Sequence, residues 1–77
     1  MSSMVGAGRK NTNNTFSGVL MGDVGLNIGA TLNPGNHSGL GLYGFHEGAQ
    51  SFGFNIDGTA FLGKANKGRI VFNGNSG

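Results

Sequence analysis

The 77-residue chain contains no cysteine, so no disulfide can brace it and no thiolate can hold a metal. Imidazole is almost as scarce, limited to His37 and His46, and no metal or other cofactor is expected. Pro34 is the only proline and no Gly-X-Y period runs through the chain, which excludes a collagen helix. Charged residues make up 10% of the sequence, whereas a soluble monomer carries them over roughly a quarter to a third of its surface. Much of this chain's surface is therefore expected to face another chain. The five cations fall in two small groups, Arg9-Lys10 and Lys64, Lys67 and Arg69, and a net charge of +2 is too weak for a nucleic-acid footprint. No apolar run approaches the length of a membrane span, and residues 1–10 lack the apolar stretch of a secretory signal. Neither nucleic acid nor membrane insertion is expected.

What the chain has in abundance is glycine, 17 of 77 residues against an average near ~7%. The apolar share, 36%, is low for a lone globule and too high for a disordered linker. A chain of this length buries a poor fraction of its surface and needs a staple. With disulfides and metals excluded, oligomerisation is the remaining route.

Residues 1–14 are polar and aperiodic and read as a flexible tail or linker ahead of a β module over 15–77. Met1-Ser2-Ser3-Met4 reads as an added leader before a second methionine, and the chain is expected to be a segment of a longer one. Within the module, 15–21 is a first apolar stretch. Residues 25–32 alternate Leu26, Ile28, Ala30 and Leu32 with glycine and polar residues, which is the period of a strand with one buried face. A loop follows over 33–39, then strands over 40–45 and 51–56. Asp57-Gly58 between alternating segments predicts a two-residue hairpin turn that pairs Ile56 with Thr59 and Phe54 with Phe61. In that register Phe52, Phe54, Ile56 and Phe61 share one face. A last strand covers 69–72. Glycine interrupts every helical window, so no helix is expected. The fold class is all-β: short glycine-rich strands and hairpins in a meander or solenoid-like layout. Exposed strand edges are hazardous for a lone chain. An intertwined homotrimer with cyclic symmetry, a β-prism or triple β-helix, would cover them. Its core would draw on Leu26, Ile28, Leu42, Phe52, Phe54, Ile56, Phe61, Ile70 and Phe72.

Catalytic chemistry finds little support. Gly58 to Lys64 matches G-x-x-x-x-G-K, but Ala65 replaces the required Ser or Thr and no helix follows. His46-Glu47 lacks the partner and pocket that acid–base work needs, with only Asp23 and Asp57 as further carboxylates. The chain is not expected to be an enzyme. Tyr43, whose hydroxyl favours a wet edge, and His46 are the candidate ligand contacts, with a cell-surface saccharide as the ligand class and the 33–38 loop beside them. Asn13-Asn14-Thr15 and Asn36-His37-Ser38 fit the glycosylation sequon and are read as chance matches.

Across residues 39–76 a longer pattern emerges. Gly39-Leu40-Gly41-Leu42-Tyr43-Gly44-Phe45-His46-Glu47-Gly48 is followed by Ser51-Phe52-Gly53-Phe54, then by Asp57-Gly58-Thr59-Ala60-Phe61-Leu62-Gly63-Lys64 and Gly68-Arg69-Ile70-Val71-Phe72-Asn73-Gly74. This half of the chain resembles tail-fibre, tail-tip and prophage minor structural proteins of bacteriophages that infect Gram-positive bacteria. The resemblance implies a virion component made in the host cytoplasm, a trimeric β-rich shaft or connector near the host-adhesion end, and contacts with other phage tail proteins and with bacterial surface polysaccharide. It implies no catalytic residue. Residues 1–38 lie outside it.

Overall fold

The computed structural model describes residues 3–33, 39–64 and 67–73. Six strands form one open antiparallel sheet in strict chain order: β1 (Met4–Lys10), β2 (Phe16–Asp23), β3 (Leu40–His46), β4 (Ala49–Asn55), β5 (Thr59–Leu62) and β6 (Ile70–Asn73). Of the two layouts the composition allowed, this is the meander. The expected 33–39 loop falls largely on residues 34–38, His37 among them, which lie outside the described residues.

The expected linker over 1–14 gives way to a strand, since β1 pairs with β2 along its whole length. Glycine is a poor strand former, which hides Val5-Gly6-Ala7-Gly8 from propensity. Its reason is the opposite strand. A Cβ on Gly6 would stand 2.5 Å from Leu20 Cδ2, and one on Gly8 would stand 2.7 Å from the facing Gly18 Cα and 3.0 Å from the Phe16 ring, closest of all to the Ser17 carbonyl oxygen. Each glycine leaves room for a large neighbour, and the same device recurs where the Phe52 ring lies over Gly44.

The strand expected over 25–32 is also corrected. Val24–Ile28 forms a single helical turn, α1, ended by Gly29 at φ 64°. The carbonyl of Gly39 accepts from the amides of both Val24 and Gly25, at 3.0 and 3.1 Å, so the chain turns off the sheet instead of extending β2. Over so short a tract, alternation does not separate strand from helix. Leu26 and Ile28 consequently face solvent, while Val24 and Leu32 carry the burial. Segment 29–33 then crosses the sheet, and Gln50 fixes it with two reciprocal bonds. Asn33 N donates to Gln50 Oε1 at 3.0 Å, and Gln50 Nε2 donates to Asn33 O at 2.8 Å. The carboxamide plays the part of a backbone peptide in a ladder.

The Asp57-Gly58 hairpin forms in a different register from the one expected. Phe54 pairs with Ala60 and Gly53 with Phe61. Asp57 Oδ1 accepts from both the amide and the hydroxyl of Thr59, at 3.1 and 2.8 Å, and Gly58 N donates to Asn55 O at 3.1 Å. This makes a three-residue loop, Ile56 to Gly58, with Gly58 at φ 101° taking the bulge position. A one-residue slip moves a strand's side chains to the other face. Phe61 therefore leaves Phe52 and Phe54 and joins the core, 2% exposed, with the Arg69 guanidinium 4.2 Å from its ring centroid.

The core lies wholly on the face that α1 and segment 29–33 cover. Val24, Leu32 and Tyr43 form its centre, with Met4, Leu20 and Phe45 packed around them. Tyr43 is fully buried, and its hydroxyl donates to Asn55 Oδ1. Asn55 Nδ2 in turn donates to Thr59 Oγ1 at 2.9 Å, which joins the tyrosine to the hairpin turn. Burial pushes the Tyr43 phenol above its ordinary value of 10.0, and the Asp57 carboxylate adds to the rise. The fold thus favours the neutral phenol. Below about pH 10 this contribution is constant; as pH climbs past that value the unfolded chain releases the proton first and stability falls. Because Tyr43 is the only tyrosine, its phenolate absorbance should titrate late and together with loss of β-sheet circular dichroism. A Tyr43→Phe chain should show a shallower alkaline decline, and an unchanged decline would refute the linkage.

Candidate functional site

Two surfaces remain once the core is accounted for. The first is the sheet face opposite α1. Strand register sets Val5, Met21, Leu42, Phe54, Ala60 and Phe72 side by side in one row across all six strands. The adjacent row runs Ala7, Val19, Gly44, Phe52, Leu62 and Ile70. No polar side chain interrupts either row. Val5, Met21, Phe54, Leu62, Ile70 and Phe72 are each more than two-fifths exposed. Phe52 and Phe54 pack ring against ring, centroids 5.5 Å apart. Shallow hollows lie between the side chains, one of about 450 Å3 edged by Met21, Leu40, Leu42, Phe54 and Ile56.

Isolated exposed apolar residues need no explanation, but a contiguous patch larger than a few hundred Å2 does. The apolar rows cross all six strands of a chain whose two long dimensions are 41 and 36 Å, a breadth on the scale of a standard stable interface, about 800 Å2 per partner. Total accessible area, 4968 Å2, exceeds the about 4,400 Å2 expected of a folded 7.8 kDa monomer.

Of the residues expected to meet between chains, Leu42, Phe52, Phe54, Ile70 and Phe72 lie in these rows and Ile56 sits at their end in the turn. Leu26 and Ile28 stand on α1, and Phe61 belongs to the chain's own core. Val5, Ala7, Val19, Met21, Ala60 and Leu62 were missed. The signal was present in the alternation of Val5 and Ala7 with glycine, but the polar residues on either side of it masked the strand.

The second surface is polar and lies at one end of the sheet. The β1–β2 turn and the β3–β4 turn enclose a cleft of about 470 Å3, lined by Arg9, Lys10, Asn11, Thr12, Asn13, His46 and Glu47. The Lys64 ammonium lies 3.1 Å from His46 Nδ1. An ammonium only donates, so Nδ1 accepts and the ring proton sits on Nε2, which faces Glu47 Oε1 at 3.4 Å. The two expected ligand contacts are thus separated: His46 opens onto this cleft, whereas Tyr43 is sealed in the core and cannot touch a ligand. Among the described residues no three His, Asp or Glu side chains gather as a metal group, and no helix is long and apolar enough to cross a membrane.

Compared with family models, with curated proteins and with solved structures, the chain finds no match. Its functional reading therefore rests on the motif over residues 39–76 and on these two surfaces.

Proposed function

We propose that the chain is a non-enzymatic structural segment of a phage tail fibre or tail tip, which assembles as a homotrimer and supports host attachment alongside other tail proteins. The observation that carries this reading is the uninterrupted double row of apolar side chains across all six strands. Burying such a face gains about 25 cal/mol per Å2, and the buried apolar core of the single chain is small, limited to Val24, Leu32, Tyr43 and Phe61 among the described residues. A second copy is the natural occupant because the face is uniform along its length and uncharged at its centre, so it offers no polar feature by which to select a different protein. Three sheets set around an axis with these faces inward bury the rows on every copy at once. The tail-protein motif supplies the biological setting, a virion component.

The test is the solution mass of the 77-residue chain by light scattering after size exclusion. A mass near three chains is expected, with a melting temperature that rises with protein concentration. A folded species of one chain at every concentration would overturn the reading, as would a single chain that associates only with added lipid vesicles.

A further inference from the structure

The polar cleft is more than a solvated edge, because its walls are tied together. Ser17 Oγ accepts from Asn11 Nδ2 in the first turn, at 2.8 Å, and from the backbone amide of Glu47 in the second, also at 2.8 Å. Gly48 N donates to Phe16 O at 2.9 Å, a further strap between the same two elements. Asn11 is the hub of the first wall: its Oδ1 accepts from Arg9 Nε at 3.2 Å, its Nδ2 also reaches Thr15 Oγ1 at 3.1 Å, and its backbone amide donates to Thr15 O at 2.7 Å. Among the described residues, the non-glycine residues with positive φ, Asn14 at 68° and Glu47 at 50°, fall one in each turn. Such conformations persist only where their surroundings hold them.

This fixed frame concentrates charge in a chain that has little. Arg9 and Lys10 line the cleft and Lys64 reaches it through His46, so three of the five cations gather at one end of the sheet. Among the described residues neither Arg9 nor Lys10 has a carboxylate partner. Glu47, the one acid present, faces His46. Because Asn11 holds Arg9 by Nε, the outer guanidinium nitrogens stay available for the two-pronged contact that suits an oxyanion. The remaining lining, Thr12 and Asn13, offers hydroxyl and amide groups that suit sugar or polyol hydroxyls. No Phe, Tyr or Trp lines the cleft, and its one ring, the His46 imidazole, is engaged at both nitrogens by Lys64 and Glu47, so the series of stacking rings on which single-stranded nucleic acid relies is missing. The volume suits one or two small units of a ligand.

We infer that this cleft binds an oxyanion, phosphate or carboxylate, carried on a sugar or polyol, with Arg9 and Lys10 holding the charge and the Asn11–Asn13 turn reading the hydroxyls. The cleft residues stand outside both apolar rows, at the end of the sheet where Arg9 pairs with Ser17.

Amide and imidazole NMR shifts of the intact 77-residue chain would be followed on addition of glycerol 3-phosphate, glucuronate, inorganic phosphate, glucose and a short thymidine oligonucleotide. Glycerol 3-phosphate and glucuronate are expected to move the Arg9–Asn13 and His46–Glu47 signals saturably, with the stronger of the two identifying the natural anion. Glucose should bind at least about tenfold more weakly, and affinity should fall as salt screens the charge. Arg9→Gln with Lys10→Gln should weaken binding at least about tenfold while leaving the sheet spectrum and solution mass unchanged. The inference fails if no anion moves these signals, if glucose or the oligonucleotide binds as well as the charged sugars, or if the double variant keeps its affinity. Should that variant misfold, Lys10→Gln alone, on an exposed side chain, gives the same reading.

Discussion

Phe54→Asp should reduce the assembly to single chains. Phe54 stands in mid-row between Leu42 and Ala60 and packs against Phe52, so it lies near the centre of any contact made by the apolar face. In the isolated chain it is 41% exposed, which means the carboxylate costs the unassembled sheet little. Packed between copies, the same carboxylate is buried without a partner, at about 3–5 kcal/mol, and every copy bears it. At about 1.4 kcal/mol per tenfold, association should weaken by two orders of magnitude or more for each contact. Light scattering should then report one chain at concentrations where the parent reports three, and the melting temperature should lose its concentration dependence. Leu26→Asp is the matched control. It introduces the same charge at an exposed position on α1, across the sheet from the rows, and should leave the mass unchanged. Loss of assembly in both variants, or in neither, would remove the apolar face as the contact.

Phe61→Ala should unfold most of the population even under native conditions. The ring is 2% exposed, fills the place above Gly53 and carries the Arg69 guanidinium on its face. Truncating a buried phenylalanine costs about 3–5 kcal/mol, because contacts are lost and a cavity remains. A core this small has little in reserve against the about 5–15 kcal/mol that holds ordinary domains folded. Urea titration followed by circular dichroism should show the midpoint falling steeply, or no folded baseline at all. Leu26→Ala, at an α1 residue that is 68% exposed, should change the unfolding free energy by no more than about 0.5 kcal/mol. Comparable losses in the two variants would contradict the placement of Phe61 on the covered face.

The errors and successes of the sequence reading have local causes. Strands β3 to β6 were legible because Leu40-Gly41-Leu42 and Ser51-Phe52-Gly53-Phe54 alternate cleanly and turn residues bracket them, whereas β2 was read only as an apolar stretch. β1 was hidden because its glycines mean nothing until Leu20 and Phe16 are seen lying over them. The hairpin was placed correctly, but its register depended on Asp57 capturing both donors of Thr59, and sequence spacing does not contain that choice. That slip alone moved Phe61 from one face to the other. Of the two candidate contact residues, His46 stands at the end of β3 and is exposed on the cleft. Tyr43 was misjudged because its hydroxyl meets a buried amide, Asn55, instead of water. Arg9, Lys10 and Asn11 looked like an ordinary charged turn. Only the third dimension brings them opposite His46.

Strict chain order in the sheet also bears on the time course of folding. Each strand needs only its immediate predecessor to pair with, so most closures are hairpins and the longest is the connection from Asp23 to Leu40 between β2 and β3. A nascent chain can zip the sheet from its first hairpin onward as it emerges, without waiting for a distant strand. In the proposed trimer the slow event is then the meeting of finished sheets, and until it occurs each chain presents a broad apolar face to the crowded cell. Synthesis of several copies on one message, close together and nearly in step, would shorten that exposed interval more than any change to the sheet itself.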